Sequence, residues 1–451
     1  MKTYQDWLEV ADKSESERIN FVKTAITEHK ASRAFKEAVV GEDYFNGMNT
    51  TIRRLEKFIF NAKGQAVPDY ISANHKIANR FFYRDVLQAT SVLLGNGVSW
   101  SNDGTDDMLG KAFHKDLMKV VRLAQTEGTS FAFWNLNHME VYSLSDFVPF
   151  YDEEDGALKA GIRFWQIADN KPLRATVMEL DGYEEYIFKD GNGDVYREKQ
   201  AYKQKTLTSK ADGTEIYAGE NYPTFPVIPC YANDTKTSEI LPIRQTIDAY
   251  DLISSGYAND IDDADIIYWT ITNAGGMDDS DLVQVLDKLR KLHMAQLDDD
   301  QQIQSHTVDV SYAGREAILD RLEQQLYKDA MALNTYDLAS GAVTATQIEA
   351  AYEPLNQKLD MLETFVTDFL KRLLFVVGIA DDPTYDRSIV INKTEEIQTI
   401  VNSAMYLDPE YVTEKIMTIM GDQDKVDDVL GRIDGESIDR MAGGEEEKPA
   451  E

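Results

Sequence analysis

The stretch ANDIDDADIIYW places Asp260, Asp262, Asp263 and Asp265 within a few residues of one another. Paired carboxylates at such spacing can hold Mg²⁺ ions for two-metal cleavage of phosphodiesters. No Lys or His accompanies them in the sequence, and a solvated acidic helix end explains them more simply. A second candidate, KDGNGDVYREKQ, offers Asp190, Asn192 and Asp194 at the spacing of a calcium loop. Val195 stands where that loop needs glycine and Ala201 where it needs the closing glutamate. The segment lies between strand-like runs, so a glycine-containing hairpin turn is the expectation. LDDDQQ, from Asp298 to Asp300, reads as a polar turn. The histidines at 29, 75, 114, 138, 293 and 306 show no metal-ligand spacing. Cys230 sits in the apolar run FPVIPCYAND and reads as a buried, inert thiol. GxxxxGK[ST], GxSxG and HExxH are all absent. The chemistry the residues suggest is therefore not catalytic.

The elements that carry these residues follow from periodicity. Residues 3–39 read as helical, as does NHKIANRFFYRDVLQATSVLLGNGVSW up to Gly95–Gly97, and a shorter helix covers Met108 to Glu127. From Thr129 to Cys230 the apolar period switches to two, which predicts an antiparallel meander. Helix returns after Pro242 and is expected to end near Trp269. A compact insert follows, with DDSDLVQVLDKLRKL as a capped helix and HMAQL and SHTVDVS as short strands. GREAILDRLEQQLYKDAMAL is a second strong helix, so the insert hangs between two helices that run back against each other. The loop NTYDLASGAVTA then leads into a very long helix. Its stripe of Ile348, Tyr352, Leu355, Leu359, Leu362, Val366, Phe369, Leu373 and Val376 recurs at steps of four and three. A sustained stripe of this kind needs a neighbour, within the chain or from other subunits, and points to an oligomer. Pro354 lies inside it, where a kink or break is expected. SIVINK is a possible strand, and short helices finish the chain. No internal repeat is present.

Charge bounds the partners. Asp and Glu number 79 against 46 Lys and Arg, a formal charge of −33. Common nucleic-acid binders release phosphate counterions from a basic patch, which this chain cannot do as a whole. Contact with DNA is expected to be weak, transient or local. The single cysteine excludes an internal disulfide and fits a reducing compartment. The start is polar and unlike a signal peptide, the longest apolar run, LLFVVGIA, is too short to cross a bilayer, and MAGGEEEKPAE reads as a disordered acidic tail.

The order of segments resembles the portal proteins of tailed bacteriophages, of the siphophage type found in Gram-positive hosts. The stretches that carry the resemblance are LGNGVSW, the run EGTSFAFWNLNHMEVYSLSDFVPFYDEEDGALKAGIRFW, FPVIPCYAND, TIDAYDLISSGYANDIDD and SGAVTATQIEAAYEPLNQKL. Together they span most of residues 40–380. The resemblance implies an α+β fold: an elongated subunit with an α/β wing, a two-helix stem, a small α/β clip, a long tunnel helix and a helical crown. The wing would be 1–240, the stem 241–265 and 312–333, and the clip 266–311. The tunnel loop would be 334–346, the long kinked helix 347–379, the crown 380–440, and the tail 441–451.

It further implies a ring, dodecameric in the family, at one capsid vertex of the virion and assembled in the host cytoplasm. The ring's partners would be the terminase large subunit, a head-tail adaptor, and major capsid and scaffold proteins, with double-stranded DNA as a transient, non-specific passenger. No membrane and no cofactor are implied, since ATP hydrolysis belongs to the terminase. Leu338, Ser340, Gly341, Thr344 and Thr346 would be the DNA-facing loop residues, with Gly341 giving mobility. Asp260, Asp262 and Asp263 would face the channel from the stem, where acidic walls let duplex slide without being trapped. Asp278, Asp279, Asp298, Asp299 and Asp300 would be docking residues of the clip. Two other classes stay open: a different ring-forming assembly protein, and a metal-dependent nuclease using Asp260–Asp265.

Overall fold

A computed structural model describes residues 2–60, 64–70, 74–102, 104–208, 215–264, 268–272, 284–285, 302–306, 312–336, 344–387, 393–420, 425–426 and 429–432. The chain forms two compact units, one of residues 1–332 with 358–386, the other of 333–357 with 387–451. It mixes helices and strands, as the sequence predicts.

In the first unit, the run 3–39 is helical as expected, in three helices: α1 (Tyr4–Ala11), α2 (Glu15–Ala31) and α3 (Arg33–Phe45). Side-chain oxygens end each run and start the next. Ser14 with Glu17 forms a capping box, and the Ser32 hydroxyl accepts the Phe35 N–H. After α4 (Thr50–Arg53) come a hairpin, β1 (Phe58–Phe60) with β2 (Ala66–Pro68), and an extended run, 74–80. Next are α5 (Phe81–Leu94), β3 (Val98–Trp100), α6 (Thr105–Leu109) and α7 (Phe113–Glu127). The helix expected over 108–127 is thus divided at Gly110, whose φ of 83° no helix accommodates.

The strand region is two larger sheets and a separate two-stranded pair rather than one meander. β4 (Thr129–Asn135) and β5 (His138–Ser143) form one hairpin, and β13 (Val227–Tyr231) returns to pair with β4. β6 (Phe147–Tyr151), β7 (Leu158–Trp165), β8 (Leu173–Glu179), β9 (Gly182–Lys189) and β10 (Asn192–Gln200) form a five-stranded antiparallel meander. Its inner face packs Val148, Phe150, Ile162, Phe164, Val177 and Tyr186 against Trp7, Phe21, Val22 and Ile26 of α1 and α2. The supposed calcium loop is the two-residue turn between β9 and β10. Asp190 and Gly191 both take positive φ, 51° and 83°, as the tight hairpin turn requires. β11 (Lys203–Thr208) and β12 (Glu215–Glu220) pair with each other.

The turn joining the two sheets is held by buried groups. Glu127, at the end of α7, accepts the N–H of Leu144 at 2.7 Å and of Ser145 at 3.4 Å, while His29 Nε2 bonds the Leu144 carbonyl at 2.8 Å. Burial pushes the Glu127 carboxyl up to about 8, against the pull of those two amides. The next residue, Gly128, turns the chain at φ 86°, and a Cβ there would lie 2.5 Å from the Lys236 carbonyl. Cys230 is fully buried, and burial raises its thiol to about 12, out of the range of nucleophiles.

Two long helices then pack together: α8 (Arg244–Ala264) and α9 (Tyr312–Asp329). Helix α8 stops short of Trp269. The β-branched and aromatic run YWTIT forms β14 (Tyr268–Thr272) instead, paired antiparallel with β15 (Gln302–His306). Strand β15 takes the start of SHTVDVS; HMAQL lies outside the described residues. So does the capped helix, except Gln284 and Val285, which are helical. Helix α10 (Ala345–Val377) runs unbroken through Pro354, so of the expected kink or break the break is absent. It supplies residues to both units. After it, β16 (Pro383–Tyr385) pairs with β3, and SIVINK lies outside the described residues except Lys393. In the second unit, α11 (Lys393–Ser403), a 3-10 turn (404–406) and α12 (Pro409–Met420) pack as short helices.

Candidate functional site

The site is built on the α8–α9 pair and on α10. At its root, Ile243 just before α8, Ile247 within it, Leu326 of α9 and Ala330 just past it join Tyr44, Phe45, Phe81 and Phe82 in one core cluster. The far ends meet where Arg315 of α9 pairs with Asp260 of α8. The two helices are therefore antiparallel, and the β14–β15 pairing closes the root of the insert they carry.

One face of α8 is polar and engaged. Asp248, Asp251, Ser255, Asn259 and Asp262 follow each other at steps of three and four, and each meets a group from residues 44–79. Asp248 accepts from the Tyr44 hydroxyl and, at 3.0 Å, from Thr51. Asp251 is fully buried and accepts from Asn49 Nδ2 at 2.8 Å, and from the backbone and side-chain N–H groups of Asn79 at 3.0 and 2.6 Å. Burial raises its carboxyl above the usual range, and these hydrogen bonds oppose the shift. Ser255 accepts the Ile77 N–H at 2.9 Å, Asn259 the His75 N–H at 2.6 Å, and Asp262 lies 2.5 Å from His75 Nε2.

The fit is geometric. Alternate residues of an extended chain advance about 6.6 Å and four residues of helix about 6 Å, so each N–H at 79, 77 and 75 finds an acceptor at 251, 255 and 259. Side chains of α8 thus serve an extended strap as a sheet edge would.

This overturns the expectation that no Lys or His accompanies the acidic cluster. Its companions, Arg315 and His75, come from far along the chain. Asp260 and Asp262 spend carboxylate lone pairs on them, which a metal would otherwise need. Asp263 lies at the helix end, and its side chain falls outside the described residues, as do Asp265, Asp278, Asp279 and Asp298–Asp300. Among the described residues no three His, Cys, Asp or Glu side chains converge as a metal site.

Leu338, Ser340 and Gly341 of the expected loop also lie outside the described residues. Thr344 and Thr346 are exposed. Thr344 caps α10: its hydroxyl accepts the Gln347 N–H at 3.4 Å, while Gln347 Oε1 accepts the Thr344 N–H at 3.1 Å. The apolar stripe behaves as expected from Tyr352 onward. Tyr352, Leu355, Leu359, Leu362, Val366, Phe369, Leu373 and Val376 are all buried, whereas Ile348 is half-buried.

From Lys358 onward α10 belongs to the first unit, and that residue is its polar anchor. Lys358 Nζ lies 3.0 and 3.1 Å from the two oxygens of buried Asp85 on α5, and 3.1 Å from the Ala330 carbonyl just past α9. Burial raises the Asp85 carboxyl and the Lys358 ammonium pulls it back. A residue four positions before this anchor, Pro354, has no N–H to give the Ala350 carbonyl.

A family model described as phage portal protein, SPP1 Gp6-like, matches residues 28–442. The chain belongs to the phage portal protein family. The portal protein of Bacillus phage SPP1 is 22% identical over 418 residues, covering 84% of this chain and 79% of that one. The portal protein of Clostridium phage phiCD119 is 26% identical over 198 residues, 42% of this chain and 44% of that one, so this match spans under half of that relative's length. Among solved structures, the neck of a native gene transfer agent particle, computed with C12 symmetry, aligns with a TM-score of 0.45 at 12% identity, covering 75% of this portal chain and 89% of its own. Among the described residues no helix of the portal chain is long and apolar enough to cross a membrane.

Proposed function

We propose that this portal protein assembles into a ring, dodecameric by family analogy, at one capsid vertex, and that genomic DNA enters and leaves through its channel. The family match over residues 28–442 carries this reading. The antiparallel helix pair with an insert at its far end is the arrangement such a role needs, a stem presenting a docking module. In this reading Asp260, Asp262 and Asp263 lie along the channel wall, and the segment 334–346, whose last two residues begin α10, meets DNA. The insert, through Asp278, Asp279 and Asp298–Asp300, docks the terminase large subunit and later the head-tail adaptor. Capsid and scaffold proteins seat the ring during assembly in the host cytoplasm. The acidic balance of the chain supports passage, because a repulsive wall holds no phosphate tightly. The chain itself carries no catalytic step.

The nuclease alternative is not favoured, because Arg315 and His75 already engage two of its carboxylates. Native mass measurement with electron-microscope class averages tests the proposal. A closed ring with a central channel is expected; a monomer, or a closed assembly without a channel, overturns it. Charge reversal at Asp298, Asp299 and Asp300 leaves rings intact and weakens adaptor and terminase binding if the insert is the docking module.

A further inference from the structure

Both faces of the β1–β2 hairpin are largely exposed, with Val67 half-buried. Phe58 and Phe60 lie on one side with Pro68 and Ala66 opposite them, and Ile59 lies on the other with Val67. Phe58 is 54% exposed, Phe60 76%, Ile59 42% and the adjoining Tyr70 89%. At about 200 Å² per aromatic side chain, these fractions add to on the order of 500 Å² of apolar surface spread over the two faces of the hairpin and Tyr70, well above scattered single exposures. The strands are three residues long and make their main contacts with each other. A lone two-stranded hairpin of that length is marginal in water, so its order requires a partner.

Charge says which partner. Residues 53–76 hold five basic side chains (Arg53, Arg54, Lys57, Lys63, Lys76) against two acidic ones (Glu56, Asp69), a balance of +3 along this run in a chain of −33, with Asp43 of α3 near Arg53 and Arg54 from outside it. The occupant must therefore be apolar where it touches the aromatics and acidic around them, and a second copy of this chain, with its net charge of −33, offers acidic surface of that kind. We propose that the β1–β2 hairpin of each protomer docks on a different, acidic surface of the next copy. This rests on the portal reading and deepens it. Hairpin and acceptor are different surfaces, so the contact is heterologous, the class that propagates head to tail and closes into a ring. The base of the hairpin is tied to the strap, since Lys76 Nζ donates to the Arg53 carbonyl at 2.7 Å and the strap is laddered to α8. The docking arm thus starts from a fixed position on its own stem.

The test combines assembly state with cross-linking. Phe58→Asp/Phe60→Asp should give a folded protomer, with native circular dichroism, that no longer reaches ring size. Arg53→Glu/Arg54→Glu, which leaves the aromatics in place, should raise the protomer concentration for half-assembly about tenfold at low salt, and less at high salt. Benzoylphenylalanine at position 60 of the full chain should yield covalent dimers on irradiation. Full-size rings from the aspartate variant, or cross-links only within one chain, overturn the docking proposal alone. A native protein that stays monomeric overturns the portal reading with it. Cross-links to capsid protein in place of sibling copies also overturn the proposal and name the other occupant.

Discussion

Replacing Lys358 by methionine should loosen the C-terminal part of α10 from the body of the protein. The ammonium is held by both oxygens of Asp85, at 3.0 and 3.1 Å, and by the Ala330 carbonyl at 3.1 Å. Lys358→Met keeps the stem's volume and leaves the buried Asp85 carboxylate with its cation removed. Breaking a buried pair from one side costs about 3–5 kcal/mol, because the remaining charge is neither solvated nor paired. Asp85 answers in part by taking up a proton, which its burial already favours. Removing both partners, Asp85→Leu with Lys358→Met, should recover most of the loss, since an apolar pair of similar volume is often as stable. Hydrogen exchange of amides 359–376 in assembled protein reads the effect as local opening. At about 1.4 kcal/mol per tenfold, protection should fall by at least two orders of magnitude in the single variant and return towards native in the double. Protection within about threefold of native in Lys358→Met refutes the anchor. So does a double variant that exchanges as fast as the single one.

Glu127 gives a pH dependence whose sign is fixed: its carboxyl is raised from 4.5 to about 8, so stability from this group is whole below pH 4.5 and lost as pH rises through about 8. Glu127→Gln should flatten that decline, worth on the order of 4 kcal/mol, in melting temperatures between pH 5 and 9; an unchanged profile counts against it. Gly128→Ala should destabilise by about 2 kcal/mol or more in urea unfolding, since its φ is 86° and a Cβ would collide with the Lys236 backbone; a neutral result would mean the turn relaxes freely. Gly341→Pro stiffens the proposed loop and should leave rings of normal size that fill capsids poorly, measured as nuclease-resistant DNA per portal-bearing head. Loss of rings would make the segment structural rather than a loop.

Local patterns carried much of this fold in the sequence. The Asp190–Gly191 turn was legible because two adjacent residues that accept positive φ sit between alternating strands. The α10 stripe was legible because its steps of four and three match the helix through eight buried positions. The breaks at Ser14 and Ser32 are signalled only by serine caps, which a helical period running through them does not reveal. The division into two sheets was not available: a period of two marks strands but does not say that β13 pairs with β4 across nearly a hundred residues. The strap left even less trace. Its donors at 75 and 77 are backbone amides, which every residue but proline possesses, and their acceptors lie some 180 residues away. Arg315 and Lys358 were likewise joined to their partners by tertiary structure alone.

The strap ladder also predicts how substitutions distribute. At 75 and 77 the backbone supplies the hydrogen bond, so almost any side chain but proline serves there. On α8 the side chain itself is the acceptor, and Asp251, Ser255 and Asn259 each admit few replacements. A deep mutational scan should therefore be lopsided: tolerant at 75 and 77 of the strap, intolerant at every fourth position of the helix beneath it, with proline the one residue that fails on both sides.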